Sequence, residues 1–341
     1  MKVQHYAGID PAKLTFTIAV WPCGDQGQEL CHEFSNSPSG YQSLKYWLAT
    51  HQIASSELLC CVEHTGLYSS RLALWLYQAG VQVWKEMPLA IKRAGRPARG
   101  KTDPMDAKRI AAYCKRNQDQ ARLWQPPSQA MQTLHELVNA RDRLVKAKNQ
   151  LCVPIRELKA TGHAKQAKLI EKATTAAIEG LEQSVESLEQ LMDAVLAEDT
   201  KLNRSYELLR TVPGFGKITA CELLCYTAGF TKFDNPKQLA CYCGVAPFEH
   251  SSGTSIYQKP RVSHMANKRL KTLLHLAALR MLRQDNELSR YYHRKVDQGK
   301  NKMLVLNAIR NKLLHRAMAV VKRGTPYKPN INYPKNNLAV L

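Results

Sequence analysis

Lys101-Thr102-Asp103-Pro104-Met105-Asp106-Ala107-Lys108-Arg109-Ile110 is the stretch that decides the fold of this chain. Thr102 stands where a helix N-cap belongs, and Pro104 falls in the first turn, where a missing N–H costs nothing. The pattern predicts a helix running to about Asn117, with Asp103 and Asp106 on one face by their i, i+3 spacing. Arg93, Arg96, Arg99, Lys101, Lys108, Arg109, Lys115 and Arg116 surround the two acids. In so basic a segment, two carboxylates can be plain surface ion pairs. The alternative is a pair with a chemical task, and the rest of the chain bears on the choice.

Upstream, Val3–Ile9 and Leu14–Val20 read as strands joined through Asp10-Pro11-Ala12-Lys13, and Gln28–Phe34 as a third strand. A helix over Ser39–His51, a buried strand over Leu58–Glu63, a helix over Gly66–Ala79 and a strand over Val81–Glu86 follow. Three strands and then alternating helix and strand is the order of a ribonuclease-H-like sheet, an order other mixed sheets share. Asp10 ends the first strand and Glu63 the fourth, so parallel neighbours would bring both to one edge. The Asp103/Asp106 helix is the third contributor. Four clustered carboxylates need counter-charge, which Mg²⁺ supplies through hard oxygen ligation, and two such ions ~4 Å apart can clamp a phosphate for in-line displacement. Asp10 as a turn cap and Glu63 paired with Lys13 is the plainer alternative.

The charge is lopsided. Of the net +21, residues 1–200 hold 24 Lys and Arg against 21 Asp and Glu, and residues 201–341 hold 25 against 7. A folded half with a net +18 repels itself unless a polyanion is present, and nucleic acid is the expected partner. A membrane is not: no leader and no long apolar run is evident, so a soluble cytoplasmic protein is expected. The ten cysteines form no CxxC pair, which points to reduced thiols; Cys221/Cys225 and Cys241/Cys243 match structural zinc spacings poorly.

Pro126-Pro127-Ser128 breaks the chain. Leu137, Leu144 and Leu151 then recur every seven residues, a turn is expected over Pro154–Gly162, and Ile178, Leu181, Val185, Leu188, Met192 and Val195 make a second heptad seam. That second helix bears Glu179, Glu182, Glu186, Glu189 and Asp193 without Lys or Arg, so it should avoid phosphate and serve protein–protein contact. Thr211-Val212-Pro213-Gly214-Phe215-Gly216-Lys217 resembles the turn of a helix-hairpin-helix, whose backbone N–H groups take phosphate; an ordinary αα turn is the alternative. Pro247–Ser255 reads as a polar loop. Lys259, Arg261, His264, Lys268, Arg269 and Lys271 follow, then basic helices over Lys268–Arg283 and Asn301–Arg323, and a weakly ordered tail from Pro326.

Five motifs in this order resemble the DEDD insertion-sequence transposases, bridge-RNA-guided serine recombinases that include the Piv-type DNA invertases. Gly8-Ile9-Asp10-x-x-Lys13 looks like the first acidic motif, Glu63-x-Thr65-Gly66-x-Tyr68 the second, and Lys101-Thr102-Asp103-x-x-Asp106-Ala107 the third and fourth. Val212-Pro213-Gly214-Phe215-Gly216 and Cys243-Gly244-Val245-Ala246-Pro247 resemble C-terminal landmarks, and Ser252 falls where the family keeps a nucleophilic serine. His64 and His264-Met265-Ala266-Asn267 depart from the pattern. The resemblance implies a ribonuclease-H-like (RuvC-type) domain over residues 1–124, a helical hairpin or coiled coil for oligomerisation over 125–200, and a mostly α-helical C-terminal transposase domain over 201–341 with a helix-hairpin-helix-like motif.

It further implies an RNA-guided DNA recombinase of an insertion sequence, working as a dimer that assembles to a tetramer. A structured bridge RNA would pair with donor and target double-stranded DNA, and a 5′-phosphoserine link would form at Ser252 with Mg²⁺ at Asp10, Glu63, Asp103 and Asp106. Lys101, Arg109, Gly214, Gly216, Lys217, Lys259, Arg261, Lys268 and Arg269 are the expected nucleic-acid contacts. A RuvC-like structure-specific endonuclease using metal-activated water, and a non-catalytic nucleic-acid-binding protein, are the competing readings.

Overall fold

The computed structural model of the chain describes residues 3–22, 29–94, 102–252 and 256–329. The chain divides into two compact units, Met1–Pro126 and Pro127–Leu341. The first is a mixed α/β unit around a five-stranded sheet, and the second is mostly helical.

In the first unit the order is β1 (His5–Pro11), β2 (Thr15–Pro22), β3 (Leu30–Ser35), α1 (Pro38–Thr50), β4 (Leu58–Glu63), α2 (Leu67–Gln78), β5 (Gln82–Glu86), α3 (Pro88–Ala94) and α4 (Asp103–Arg116). The sheet order is β3-β2-β1-β4-β5. β1 to β3 form an antiparallel meander, and β4 and β5 add in parallel beside β1. β1 runs one residue past Asp10, so Asp10 is its penultimate residue rather than its last.

Period-two alternation sorts the side chains. Ala7, Ile9, Phe16, Ile18, Cys60, Val62 and Val83 share a core with α1 and α2 residues such as Leu44, Leu48, Leu72 and Leu76. Tyr6, Leu59, Cys61 and Trp84 meet Ile110, Tyr113 and Cys114 of α4 on the other face. Gly8 belongs to that second face, and α4 lies directly on it. A Cβ there would sit 2.1 Å from Ala111 N and 2.4 Å from Ala107 O, so only glycine admits the helix.

The second unit opens with an antiparallel pair, α5 (Gln129–Ala160) and α6 (Ala164–Glu198). Arg141 meets Glu189 at 2.5 Å, and one heptad on Lys148 meets Glu182 at 3.2 Å, one heptad back along α6. The turn is confined to Thr161–His163. Pro154 lies within α5, contrary to the expected turn; it is exposed, and so is Gln150, whose carbonyl it leaves without a helical donor. Leu134, Val138, Met192 and Leu196 root the pair in the main core, whereas Leu144, Leu151, Ile178, Leu181 and Val185 stay half-buried.

That core is built by α7 (Thr200–Arg210), α8 (Lys217–Thr227), α9 (Pro236–Tyr242), α10 (Lys268–Leu282), α11 (Glu287–Asp297) and α12 (Lys302–Arg323). α8 is its axis, with eight of eleven residues buried. Pro247–Ser255 is not simply a loop. β6 (Pro247–Ser252) and β7 (Ile256–Val262) pair antiparallel with a bulge between Phe248 and His250. Cross-strand pairing with Ile256, Tyr257 and Gln258 holds a polar segment whose composition alone reads as irregular. Of the expected tail, residues 330–341 lie outside the described residues. Tyr327 is held by its backbone N–H donating to Thr211 Oγ1 (2.9 Å) and by the Arg316 guanidinium over its ring.

Candidate active site

The two strand-borne acids stand on one face of the sheet at one edge. Tyr6, Gly8 and Asp10 alternate on β1, and Leu59, Cys61 and Glu63 on β4, so both carboxylates continue the rows on which α4 packs. Parallel pairing runs to Ile9 opposite Val62, and Asp10 and Glu63 each come next. Beyond them Thr65 Oγ1 donates to Pro11 O at 3.4 Å, tying the two strand ends together.

α4 runs back against these strands. Ala107, Ile110 and Ala111 lie over Gly8. The Cys114 thiol donates to Leu59 O (3.5 Å), and Gln118 beyond the helix takes the Tyr6 hydroxyl. The first turn, with Asp103 and Asp106, is therefore directed toward the carboxyl ends of β1 and β4. Thr102 does occupy the N-cap, with extended backbone, but its side chain accepts no hydrogen bond there. Asp106 is bound instead by Arg109 at 2.9 Å, so that guanidinium is committed to an acid rather than free for phosphate.

Glu86 was not anticipated. It pairs across the sheet with Glu63, and its carboxylate accepts from Met87 N (2.7 Å) and the Tyr113 hydroxyl (3.3 Å). Burial, then Glu86, push the Tyr113 phenol up to about 12, which keeps it a donor. The signal was present in sequence, since Glu86 ends a strand as Glu63 does. All these donors are hard oxygens, which suits Mg²⁺ rather than a soft metal. Among the described residues, no three His, Cys, Asp or Glu side chains are arranged to hold a metal ion.

In the second unit, the backbone of Ser252 closes β6 opposite Ile256; its side chain and residues 253–255 lie outside the description. Lys101 also lies outside the described residues, and Lys259 is placed on β7 by its backbone alone. Arg261 is exposed and pairs across the hairpin with Phe248, whose ring is exposed as well. Lys268 is exposed at the first turn of α10.

Two expected phosphate contacts are engaged inside the chain. The Lys217 ammonium donates to Asp193 and to Glu189 O, both at 2.6 Å. Arg269 bridges Asp142 and the buried Glu222, each at 2.8 Å. Spacing counts cations but does not reveal which of them the fold pairs with acids, such as the exposed Asp193 or the buried Glu222. Gly214 adopts φ +92° and packs on Met281 and Ala277 O of α10. Gly216 is the N-cap of α8, and a Cβ there would lie 4.0 Å from both the Arg210 and Arg280 guanidinium groups. Those two arginines, absent from the expected set, flank the free N–H groups of α8.

A family profile described as "Transposase" matches residues 7–158, and one described as "Transposase IS116/IS110/IS902 family" matches residues 206–293. The chain is 30% identical over 333 residues to the pilin gene-inverting protein of Moraxella bovis, covering 96% of this chain and 99% of that one. It is 25% identical over 208 residues to the transposase for insertion sequence element IS1111A of Coxiella burnetii, 54% of this chain and 55% of that one. The fold and these likenesses define a transposase or site-specific DNA recombinase. The chain belongs to the IS110 family of DEDD transposases. DNA is thus its partner, and no helix among the described residues is long and apolar enough to cross a membrane.

Proposed function

We propose that the chain is an RNA-guided recombinase that cuts and rejoins DNA through a phosphoserine at Ser252, assisted by Asp10, Glu63, Asp103 and Asp106. The observation that carries this reading is the placement of the acids: Asp10 and Glu63 follow the paired ends of adjacent parallel strands, and the first turn of α4, which bears Asp103 and Asp106, is directed at the same end of the sheet. The strand order and its crossover to β4 support a ribonuclease-H-like, RuvC-type domain. Mg²⁺ held by these four carboxylates would neutralise the charge that a phosphate brings to the site.

A serine hydroxyl is a weak nucleophile until its proton is drawn off. In the proposed step the Ser252 oxygen forms a bond to the scissile phosphorus, and the bond to the 3′ oxygen breaks. The serine proton is lost and the departing 3′ oxygen gains one, leaving a 5′-phosphoserine. One phosphodiester has been exchanged for another, so rejoining needs no outside energy source. The reading requires Ser252 and the acids, which belong to separate compact units, to act on one phosphate.

The net +18 of residues 201–341 supports a role in holding a guide RNA and DNA through their phosphates. The exposure of Arg210 and Arg280 beside the α8 N-terminus, and of Arg261 and Lys268, supports assigning this contact to them. The half-buried seam of α5 and α6 supports self-association into a dimer and tetramer, since two helices alone leave an apolar stripe partly wet.

The test is mass spectrometry of nucleotide-linked peptides from trapped reactions. Ser252→Ala should bind nucleic acid normally and give no adduct, and Asp103→Asn should abolish strand exchange with the fold intact. A link at Ser251 or Ser255 would shift the assignment along the chain. Cleavage without any adduct would replace it with a metal–water endonuclease.

A further inference from the structure

Asn36, just past β3, joins two segments at the acidic edge of the sheet. Its backbone N–H donates to Leu14 O (2.7 Å), and its side-chain amide donates to Ala12 O (2.8 Å) and Tyr68 O (3.1 Å). Its side-chain oxygen accepts from the hydroxyl of Tyr41 at 2.6 Å, and Tyr41 is buried in the core. The β1–β2 turn and the first turn of α2 are thus fixed to each other and to the interior.

What these braced segments carry outward is apolar. Leu14 is 74% exposed and Tyr68 is 46% exposed. Leu14 follows Asp10 by four residues and Tyr68 follows Glu63 by five, and the Thr65–Pro11 bond ties the same two chain ends. Lys13 beside Leu14, and Arg71 one turn along α2 from Tyr68, are exposed cations. Exposed leucine and tyrosine at a surface turn are ordinarily left to move, because ordering them costs entropy with no burial in return. Here three hydrogen bonds order the backbone beneath them.

DNA offers such a surface thymine methyls, sugar edges and the faces of its bases; the base face is the one flat enough and large enough to match a tyrosine ring, and a duplex hides that face in the stack. We infer that Leu14 and Tyr68 form a base platform, on which the Tyr68 ring stacks against a nucleobase unstacked beside the scissile phosphate while Leu14 wedges the neighbouring step. The inference rests on the acidic edge being where the phosphodiester is cut. Lys13 and Arg71 then contact the phosphates on either side of the extruded base. Stacking of one base on one aromatic ring corresponds to about a ten- to hundredfold effect.

The experiment uses the full chain with its co-purifying RNA and plasmid DNA carrying the element's ends. The cut positions are mapped from the products, and 2-aminopurine is placed at each nucleotide flanking the cut. Wild-type protein should change the probe's fluorescence at one flanking position. Tyr68→Ala should lose that change and cleave roughly ten- to hundredfold more slowly. Tyr68→Trp and Tyr68→Phe should restore both. Melting temperatures should match the wild type, since the ring is outside the core. A substrate already mismatched at that position should recover much of the loss in Leu14→Ala. Wild-type rates and fluorescence in Tyr68→Ala and Leu14→Ala, with Asp10→Asn inactive, would overturn the platform alone. Normal cleavage by Asp10→Asn would overturn the acidic-edge reading beneath it.

Discussion

Replacing Gly8 by alanine tests how the acids are positioned. The added carbon would meet Ala111 N at 2.1 Å, Ala107 O at 2.4 Å and Ile110 C at 2.6 Å, all backbone of α4. No side chain can rotate away, so the helix must lift. Reaching an ordinary contact near 3.4 Å takes about 1.3 Å. Overpacking of this kind costs about 1–3 kcal/mol, and a ~1 Å displacement of catalytic groups costs roughly a hundredfold in rate. The five tryptophans, at positions 21, 47, 75, 84 and 124, all lie in the first unit, so their fluorescence follows this unit alone during urea unfolding. Gly8→Ala should lower the unfolding free energy by about 2 kcal/mol. It should also slow strand exchange about a hundredfold at temperatures where the fluorescence is native. Gly180→Ala is the contrast: it lies on exposed α6 of the tryptophan-free second unit with nothing within 4 Å, and should stabilise that unit by up to ~1 kcal/mol, read by helical circular dichroism. A Gly8→Ala protein with wild-type midpoint and rate would refute the close contact between α4 and β1.

Arg269→Ala should destabilise the second unit by about 3 kcal/mol, because Glu222, 2% exposed, loses its cation; adding Glu222→Gln should recover part of this. Weaker nucleic-acid binding at unchanged stability would instead return Arg269 to phosphate. Burial, and then Arg310, hold His275 below the ordinary imidazole value, and burial, with Lys232, lowers His135 too. The unfolded chain therefore binds more protons, so melting temperature should be full above pH ~6.5 and fall as pH drops toward the lowered folded values; His275→Gln should flatten that slope. The logarithm of the affinity for duplex DNA should fall roughly linearly with log salt. Arg210→Ala and Arg280→Ala should each reduce the slope by up to ~1, while Lys217→Ala should leave it unchanged.

Much of the first unit was legible because its strands are short apolar runs bounded by turn residues. Leu58–Glu63 was read to the residue, and the Asp103 helix to within one residue at its end. Position at the strand ends set Asp10 and Glu63 apart, since the residues of the same parity, Tyr6, Leu59 and Cys61, are buried beneath α4. The two long helices declared themselves through their heptads. Local pattern carries this information because each element's own period must match the face it buries.

Tertiary structure decided the rest. Whether Pro247–Ser252 is strand or loop depends on a partner strand that its own composition does not announce. The helical state of Pro154 depends on the flanking turns of a 32-residue helix outweighing one lost hydrogen bond. Lys217 and Arg269 look like any basic residue until Asp193 and the buried Glu222 are found beside them. The brace at Asn36 joins residues 12, 14, 41 and 68, which no single local pattern links. Hydrophobic periodicity is written locally, but charge pairing and hydrogen-bond satisfaction depend on which distant groups lose water together, and only the folded chain determines that.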